Sequence, residues 1–120
     1  MAAGAVSAFL SVAVGAFGAH GLQLEAPYAD TYDTAVQYHM LHAIGMLAVG
    51  LAGASLERPS LLKWAGWAFA AGTLLFSGSL YLYSVTELSW LGAITPLGGL
   101  AFLAGWASFA AAARSAPKRR

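Results

Sequence analysis

The sequence contains no cysteine and very little charge. Of its 120 residues, 9% are charged and 59% are hydrophobic, and the formal net charge is +1. Without cysteine, the chain can form neither disulfides nor Cys-based metal or iron–sulfur centres, so any metal would need His or oxygen ligands. Its few basic residues are not interleaved with aromatics, which excludes a nucleic-acid-binding face. So large an apolar excess cannot be buried in a soluble fold of this length, and it predicts a protein whose partner is the lipid bilayer.

Four long runs carry almost no charge and predict membrane-spanning helices. At about 1.5 Å per residue, each nearly or fully crosses a hydrocarbon core of about 30 Å. Trp64 and Trp67 at one end of the third run, with Tyr81 and Tyr83 at the other, match the aromatic belts of the two interfaces. The sequence therefore predicts an all-α, integral membrane four-helix bundle in one domain, residues 1–120. Its expected spans are about 2–19, 38–56, 64–84 and 89–113.

Two helix starts need separate arguments. Tyr28, Tyr32 and Val36 recur at a spacing of four, which predicts that the second helix begins outside the bilayer, ahead of its uncharged run. In the fourth run, Pro96 allows either one long helix kinked at the proline or a helix that begins there with Thr95 as its cap. We favour the kinked helix, because a bundle can satisfy the backbone groups that proline frees.

Charges between the runs predict the orientation. The segments after the first and third runs contain acidic residues and no Lys or Arg. The positive-inside rule then places both termini in the cytoplasm. The basic residues that decide this orientation are Arg58, Lys63, Arg114, Lys118, Arg119 and Arg120.

Small residues at every fourth position of the first run predict a helix-packing seam, where a neighbouring backbone can approach closely. Gly78 is a predicted close-contact point of the third run. We expect a tight bundle with further contacts to other membrane protein chains or to a second copy. The seam residues are Ala3, Ser7, Ser11, Gly15 and Ala19.

A cluster of polar side chains is the candidate ligand site. The predicted topology brings it together near the external interface, and its members are His20, His39, His42, Thr95, Ser77 and Ser79. His39 and His42 share a helical face, and with His20 they could hold a metal. His20 and His42 could alternatively be axial haem ligands. Because the spans offer no acidic ligand and interfacial histidine is commonly only amphipathic, we expect no metal and no cofactor.

The Ser77-Gly78-Ser79 segment offers hydroxyls but no nucleophile elbow. An activated serine needs a base held by an orienting group, and the sequence pattern supplies neither. Small hydroxyls inside apolar helices favour helix packing instead. The sequence therefore predicts a protein that is not an enzyme, with no catalytic residues.

Several stretches together resemble one known family, the domain of unknown function 423 family of small bacterial inner-membrane proteins. The resemblance implies a multi-pass protein of the bacterial cytoplasmic (inner) membrane, with four spans and no established activity. In this resemblance His20 and His42 match the family pattern, whereas His39 occupies a position where members of the family commonly have glutamine. The stretches are Gly15 to Leu22 (GAFGAHGL), Ala35 to Ala43 (AVQYHMLHA), Leu75 to Tyr81 (LFSGSLY), Ile94 to Gly99 (ITPLGG) and Leu103 to Trp106 (LAGW).

Three functional hypotheses follow. The first is a non-enzymatic accessory or interaction protein of a larger membrane assembly, favoured by the small-residue seam and the lack of buried charge. The second is an oligomeric small-solute or proton-linked transporter or channel, weakened because the ionisable side chains are expected at the outer edge rather than near the midplane. The third is a haem- or metal-binding protein that uses His20 and His42.

Overall fold

A computed structural model describes residues 1–114 and Pro117. Its helices are α1 (Ala2–His20), α2 (Tyr28–Ala52), α3 (Pro59–Gly72), a π-helical segment (Thr73–Gly78), α4 (Ser79–Thr86), a 3₁₀ segment (Ser89–Ala93) and α5 (Thr95–Ala113). The described residues form no β-sheet, and the all-α prediction is confirmed. The basic residues Lys118, Arg119 and Arg120 lie outside the described residues.

Four continuous helical stretches are long and apolar enough to cross a membrane. They are Ala2–His20, Tyr28–Ala52, Pro59–Thr86 and Ser89–Ala113, which confirms the predicted number of spans. Most of their apolar side chains face outward, as expected for helices whose solvent is lipid. The early start predicted for the second helix is also correct, since α2 begins at Tyr28.

The favoured kink at Pro96 is wrong. Ser89–Ala93 is a short 3₁₀ segment, and the α-helix begins only at Thr95, so the proline lies in its first turn. A proline there interrupts no helical hydrogen bond, because the first four N–H groups of a helix have no intrahelical acceptor. Thr95 is not the N-cap residue either, because Ile94 holds that position.

The third span contains a π-helical turn that the sequence pattern did not predict. Thr73–Gly78 joins α3 to α4 without ending the helix, and such turns occur frequently at functional sites. Gly98 of α5 approaches this turn closely: a Cβ at Gly98 would lie 2.8 Å from the backbone carbon of Leu75 and 2.7 Å from the Cβ of Phe76. The widened turn and the missing side chain together let α5 lie against the third span.

The seam of α1 packs on α2, with a register that differs from the prediction. Ser11 is 1% exposed, and Ser7 and Gly15 face α2, but Ala3 and Ala19 are exposed. A step of four residues turns about 40° past a full turn, so strict fourth positions drift around the helix. Gly4 and Gly18 replace the two ends of the predicted seam: they lie against Leu47 and Tyr32 of α2.

The four spans form a flattened bundle with extents of 53 × 27 × 16 Å. The helix α1 packs along α2, while α3 packs between α2 and α5. The largest fully buried side chain, Phe69, fills the centre against Gly45 of α2 and Gly105 of α5. Because α1 barely touches the third span, the bundle leaves open surfaces between non-adjacent helices.

The described N-terminus lies at the same end of the bundle as the turn between α2 and α3. Met1 contacts Gly50 near the end of α2, and Leu56 forms an isolated antiparallel bridge with Pro117. Arg58, the N-cap residue of α3, therefore shares this end with both described ends of the chain.

Candidate functional site: two buried histidines beside lateral clefts

His39 and His42 lie near the middle of α2 rather than at one of its ends. At about 1.5 Å per residue, His39 is about 16 Å from Tyr28 and about 20 Å from Ala52. His20 ends α1 and is exposed. The prediction that all three histidines gather at one interface is wrong, because the partner of His39 on α1 is Ser7, which lies about 20 Å along that helix from His20.

His42 is held by partners whose roles are fixed. Its Nδ1–H donates to the carbonyl of Tyr38 at 2.7 Å, and the indole N–H of Trp106 donates to its Nε2 at 3.0 Å. A carbonyl only accepts and an indole only donates, so the ring is held as the neutral Nδ1–H tautomer. Phe102 stacks on the imidazole, with centroids 3.4 Å apart, and His42 is 2% exposed.

His39 is held by two hydroxyls. Its Nδ1 lies 2.9 Å from the Tyr81 hydroxyl of α4, and its Nε2 lies 3.2 Å from the Ser7 Oγ of α1. Each hydroxyl can donate or accept, so either tautomer of His39 keeps both hydrogen bonds. Tyr81 in turn packs against Tyr32, whose hydroxyl donates to the Val14 carbonyl at 2.6 Å. This network joins α1, α2 and α4.

The structure does not bring the three histidines together. Among residues 1–114 and 117, no hydrogen bond or ring contact joins two of them, and no group of three His, Asp or Glu side chains is placed to hold a metal. Both nitrogens of His42 are engaged by protein groups. A haem ligated by His20 and His42 would require breaking a hydrogen bond of His42.

The three hydroxyl residues of the candidate site hold helices together. Ser77 donates to the Ala35 carbonyl of α2 at 2.9 Å and is fully buried. Ser79 and Thr95 share a 2.6 Å hydrogen bond between α4 and α5. Within the described part of the chain, neither serine forms a hydrogen bond to His, Asp or Glu, so neither has the base that a nucleophile needs. Gly78 was predicted as a packing point, but an added Cβ there would have no described atom of another helix within 4 Å; beyond the adjoining backbone of its own helix, it would meet only the Thr73 carbonyl oxygen, at 3.9 Å.

An open groove lies between α1 and the third span. We call it the α1–α3 groove. Two adjoining depressions of about 330 and 500 Å³ form it, and both share the walls Ala3, Met46 and Ala70. Its lining is almost entirely apolar, with Lys63 at one end and the His39–Tyr81 pair at the other.

A second opening, the α2–α5 cleft, lies on the other side of the third span and shares no described lining residue with the groove. Its volume is about 580 Å³, and His42 lies on its floor. Aromatic side chains dominate its wall, and the exposed Leu100 and Leu103 form its rim. The full lining is Tyr38, Leu41, His42, Phe76, Pro96, Gly99, Leu100, Phe102, Leu103 and Trp106.

Sequence reasoning missed the aromatic partners of the histidines. Trp106 carried a usable signal, because it stands inside an apolar span rather than at an interface, and a buried indole N–H requires an acceptor. Tyr81 was interpreted only as part of an aromatic belt. Its contact with His39 depends on how α4 turns after the π-helical segment, which the apolar pattern does not encode.

Comparison with known proteins agrees with the fold. Residues 14–99 match the family described as a protein of unknown function (DUF423). The chain is 50% identical over 112 residues to the UPF0382 membrane protein YwdK of Bacillus subtilis, covering 92% of this chain and 91% of that protein. It is 44% identical over 108 residues to a UPF0382 membrane protein of Haemophilus influenzae, covering 88% and 86%.

A UPF0382 membrane protein of Staphylococcus haemolyticus is 44% identical over 105 residues, covering 86% of this chain and 84% of that protein. No solved structure matches the chain. The predicted family and multi-pass membrane location are confirmed. With four apolar spans and this similarity along most of its length, the chain belongs to the DUF423 family, as a multi-pass protein of the bacterial inner membrane.

Proposed function

We propose that this protein is a non-enzymatic accessory subunit that binds a transmembrane helix of another membrane protein in the α2–α5 cleft. The observation that carries the proposal is the anchored aromatic wall of this cleft. Trp106 is held in place by its hydrogen bond to His42 while part of its surface remains exposed, at 37%. Aromatic side chains that are fixed before binding are typical anchors of protein interfaces, because they lose little conformational entropy.

The rim of the cleft supports the same proposal. Leu100 and Leu103 are 64% and 67% exposed, and Gly99, which has no side chain, lines the cleft beside them. Helices associate in lipid through close van der Waals packing at small residues, so a partner helix could approach the chain at Gly99. The seam on α1 no longer supports a partner, because it is already packed against α2.

Filling the cleft tests this proposal. A Cβ at Gly99 has Phe76 as its nearest neighbour at 4.0 Å, and a Cβ at Gly92 has no described neighbour within 4 Å. Neither glycine has a positive φ, so leucine is tolerated by the backbone at both positions. G99L places a side chain in the cleft, whereas G92L is the matched control outside it.

A photo-crosslinking residue at Leu103 provides the readout in intact membranes. We expect one reproducible protein adduct in the wild-type and G92L backgrounds and loss of that adduct in G99L. A chain that forms no protein adduct and elutes alone in mild detergent would refute the proposal. Equal adducts in G99L and G92L would show that the partner binds elsewhere.

Proton-linked transport is a second candidate, favoured by His39. This ionisable side chain lies near the middle of α2, between two hydroxyls and beside an open groove. Transport was disfavoured on the expectation that all ionisable groups would lie at the outer edge, and His39 does not fit that expectation. Proteoliposomes with an imposed pH gradient and an internal pH dye test it. Proton flux above that of empty vesicles, abolished in H39L, would support transport, and flux equal to that of empty vesicles would refute it.

The cytoplasmic placement of both termini is part of the proposal. Arg58, Lys63 and Arg114 support it, because they lie at the end of the bundle opposite to the acidic loop that contains Glu25. Since the chain has no cysteine, single-cysteine variants give a clean test. An impermeant maleimide should label Q23C but not E57C in intact spheroplasts, and the reverse pattern would invert the topology.

A further inference from the structure

We infer that the α1–α3 groove binds an anionic phospholipid, with its phosphate at Lys63 and one acyl chain lying between α1 and α3. This site is separate from the α2–α5 cleft, since the two openings share no described lining residue. It therefore does not depend on the proposed partner interaction.

The apolar part of the groove has the length that an acyl chain requires. From Lys63 to Thr73 the third span rises about 15 Å, which is half of a hydrocarbon core of about 30 Å. Gly66 and Ala70 lie between these two residues and leave the groove open toward α1. A chain that begins at the Lys63 end would thus reach the middle of the bilayer along a continuous apolar surface.

The end of the groove carries groups that recognise a phospholipid headgroup. The Lys63 ammonium is exposed, and Ser60, Trp64 and Trp67 surround it in a surface depression of about 420 Å³. Trp64 and Trp67 are 70% and 66% exposed, as expected for indoles at the level of lipid headgroups. A lysine at this level attracts anionic lipids, whereas a zwitterionic headgroup brings its own cation.

Charge placement favours a lipid over a protein helix in this groove. Among the described residues, the only Lys, Arg, Asp or Glu side chain in its lining is Lys63, at the mouth, and the remaining length toward Thr73 is apolar. A phospholipid has the same order of groups: one anion at the interface, followed by a hydrocarbon chain. It also needs no hydrogen-bond partner along the groove, because its chain is apolar.

Native mass spectrometry in detergent tests this inference with phosphatidylglycerol and phosphatidylcholine of identical chains. We expect the wild-type chain to retain phosphatidylglycerol about fivefold better, the effect of one lysine near the headgroup. K63Q should abolish this preference. R58Q is the matched control: Arg58 is an exposed cation at the same end that does not line the groove.

A second variant tests the acyl chain separately. A Cβ at Gly66 would lie 3.7 Å from Val49 Cγ1, an ordinary contact, so G66L should fold and fill the groove. We expect G66L to lose phosphatidylglycerol while it keeps the wild-type thermal midpoint without lipid. Equal retention of both lipids by the wild type would overturn the inference. So would R58Q behaving like K63Q, or G66L binding like the wild type.

Discussion

His39 and His42 stand one turn apart on α2, but their partners impose different requirements. His42 lies between a carbonyl that only accepts and an indole that only donates, so the side chain must supply one donor and one acceptor in a fixed order. His39 lies between two hydroxyls that can reverse their roles. The same residue type is therefore fixed at one position and adaptable at the other.

Replacing His42 should have the largest effect. H42L removes two hydrogen bonds and the stacked contact with Phe102, and it leaves the buried indole N–H of Trp106 without its acceptor. We expect a loss of about 2–3 kcal/mol in the free energy of unfolding in detergent, measured by denaturant titration. A loss under about 0.5 kcal/mol would mean that His42 does not hold α2 against α5.

Trp106 should show a smaller effect that is coupled to His42. W106F keeps an aromatic ring but leaves Nε2 of His42 without a donor, which we expect to cost about 1–2 kcal/mol. The double variant H42L/W106F should cost less than the two single losses combined, because both remove the same hydrogen bond. Strict additivity in this cycle would contradict the pairing.

His39 should tolerate glutamine. The amide of H39Q offers both a donor and an acceptor, and the hydroxyls of Ser7 and Tyr81 can reorient to match it. We expect a loss below about 1 kcal/mol in the same titration. H39L is the control without hydrogen-bonding groups, and it should cost more than H39Q. If H39Q were as destabilising as H42L, the comparison between the two histidines would fail.

The last prediction concerns only which ring nitrogen of each histidine carries the proton, and it requires no substitution. Nitrogen NMR of labelled protein in micelles should show one tautomer for His42, with the proton on Nδ1, since its partners allow only that arrangement. For His39 we expect averaged signals from both tautomers. Averaging at His42, or a single fixed tautomer at His39, would reverse the assignment.

The sequence predicted helices well where one physical requirement dominated. Uncharged runs long enough to cross the hydrocarbon core give the four spans, and the spacing of Tyr28 and Tyr32 gives the early start of α2. It predicted the packing register less well. Ala3 and Ala19 are small and correctly spaced by four, but they are exposed while Gly4 and Gly18 contact α2, because an α-helix has about 3.6 residues per turn.

The candidate site was only partly predictable, because its contacts join residues that are far apart in the sequence. His42 could be recognised as a candidate from its position in an apolar run, but its depth and its partner Trp106 could not. These two residues are 64 positions apart, and their contact depends on how α5 packs against α3. The fourth span was also misjudged, because Pro96 is compatible both with a kink and with a helix start, and the start at Thr95 is visible only in the structure.

By itself, then, the sequence determined that the protein lies in a bilayer and how many times it crosses. Both depend on the length of each apolar run and on where the charges fall, and these are properties of each segment taken alone. The tertiary structure decided which side chains meet. Packing introduces the π-helical turn at Thr73–Gly78 and places α2 against the small residues of α1. It also gives His39 and His42 different hydrogen-bond partners. In lipid an apolar side chain is comparably stable against a lipid tail or against another helix, so the hydrophobic pattern cannot specify a partner face, and close packing with satisfied hydrogen bonds must do so.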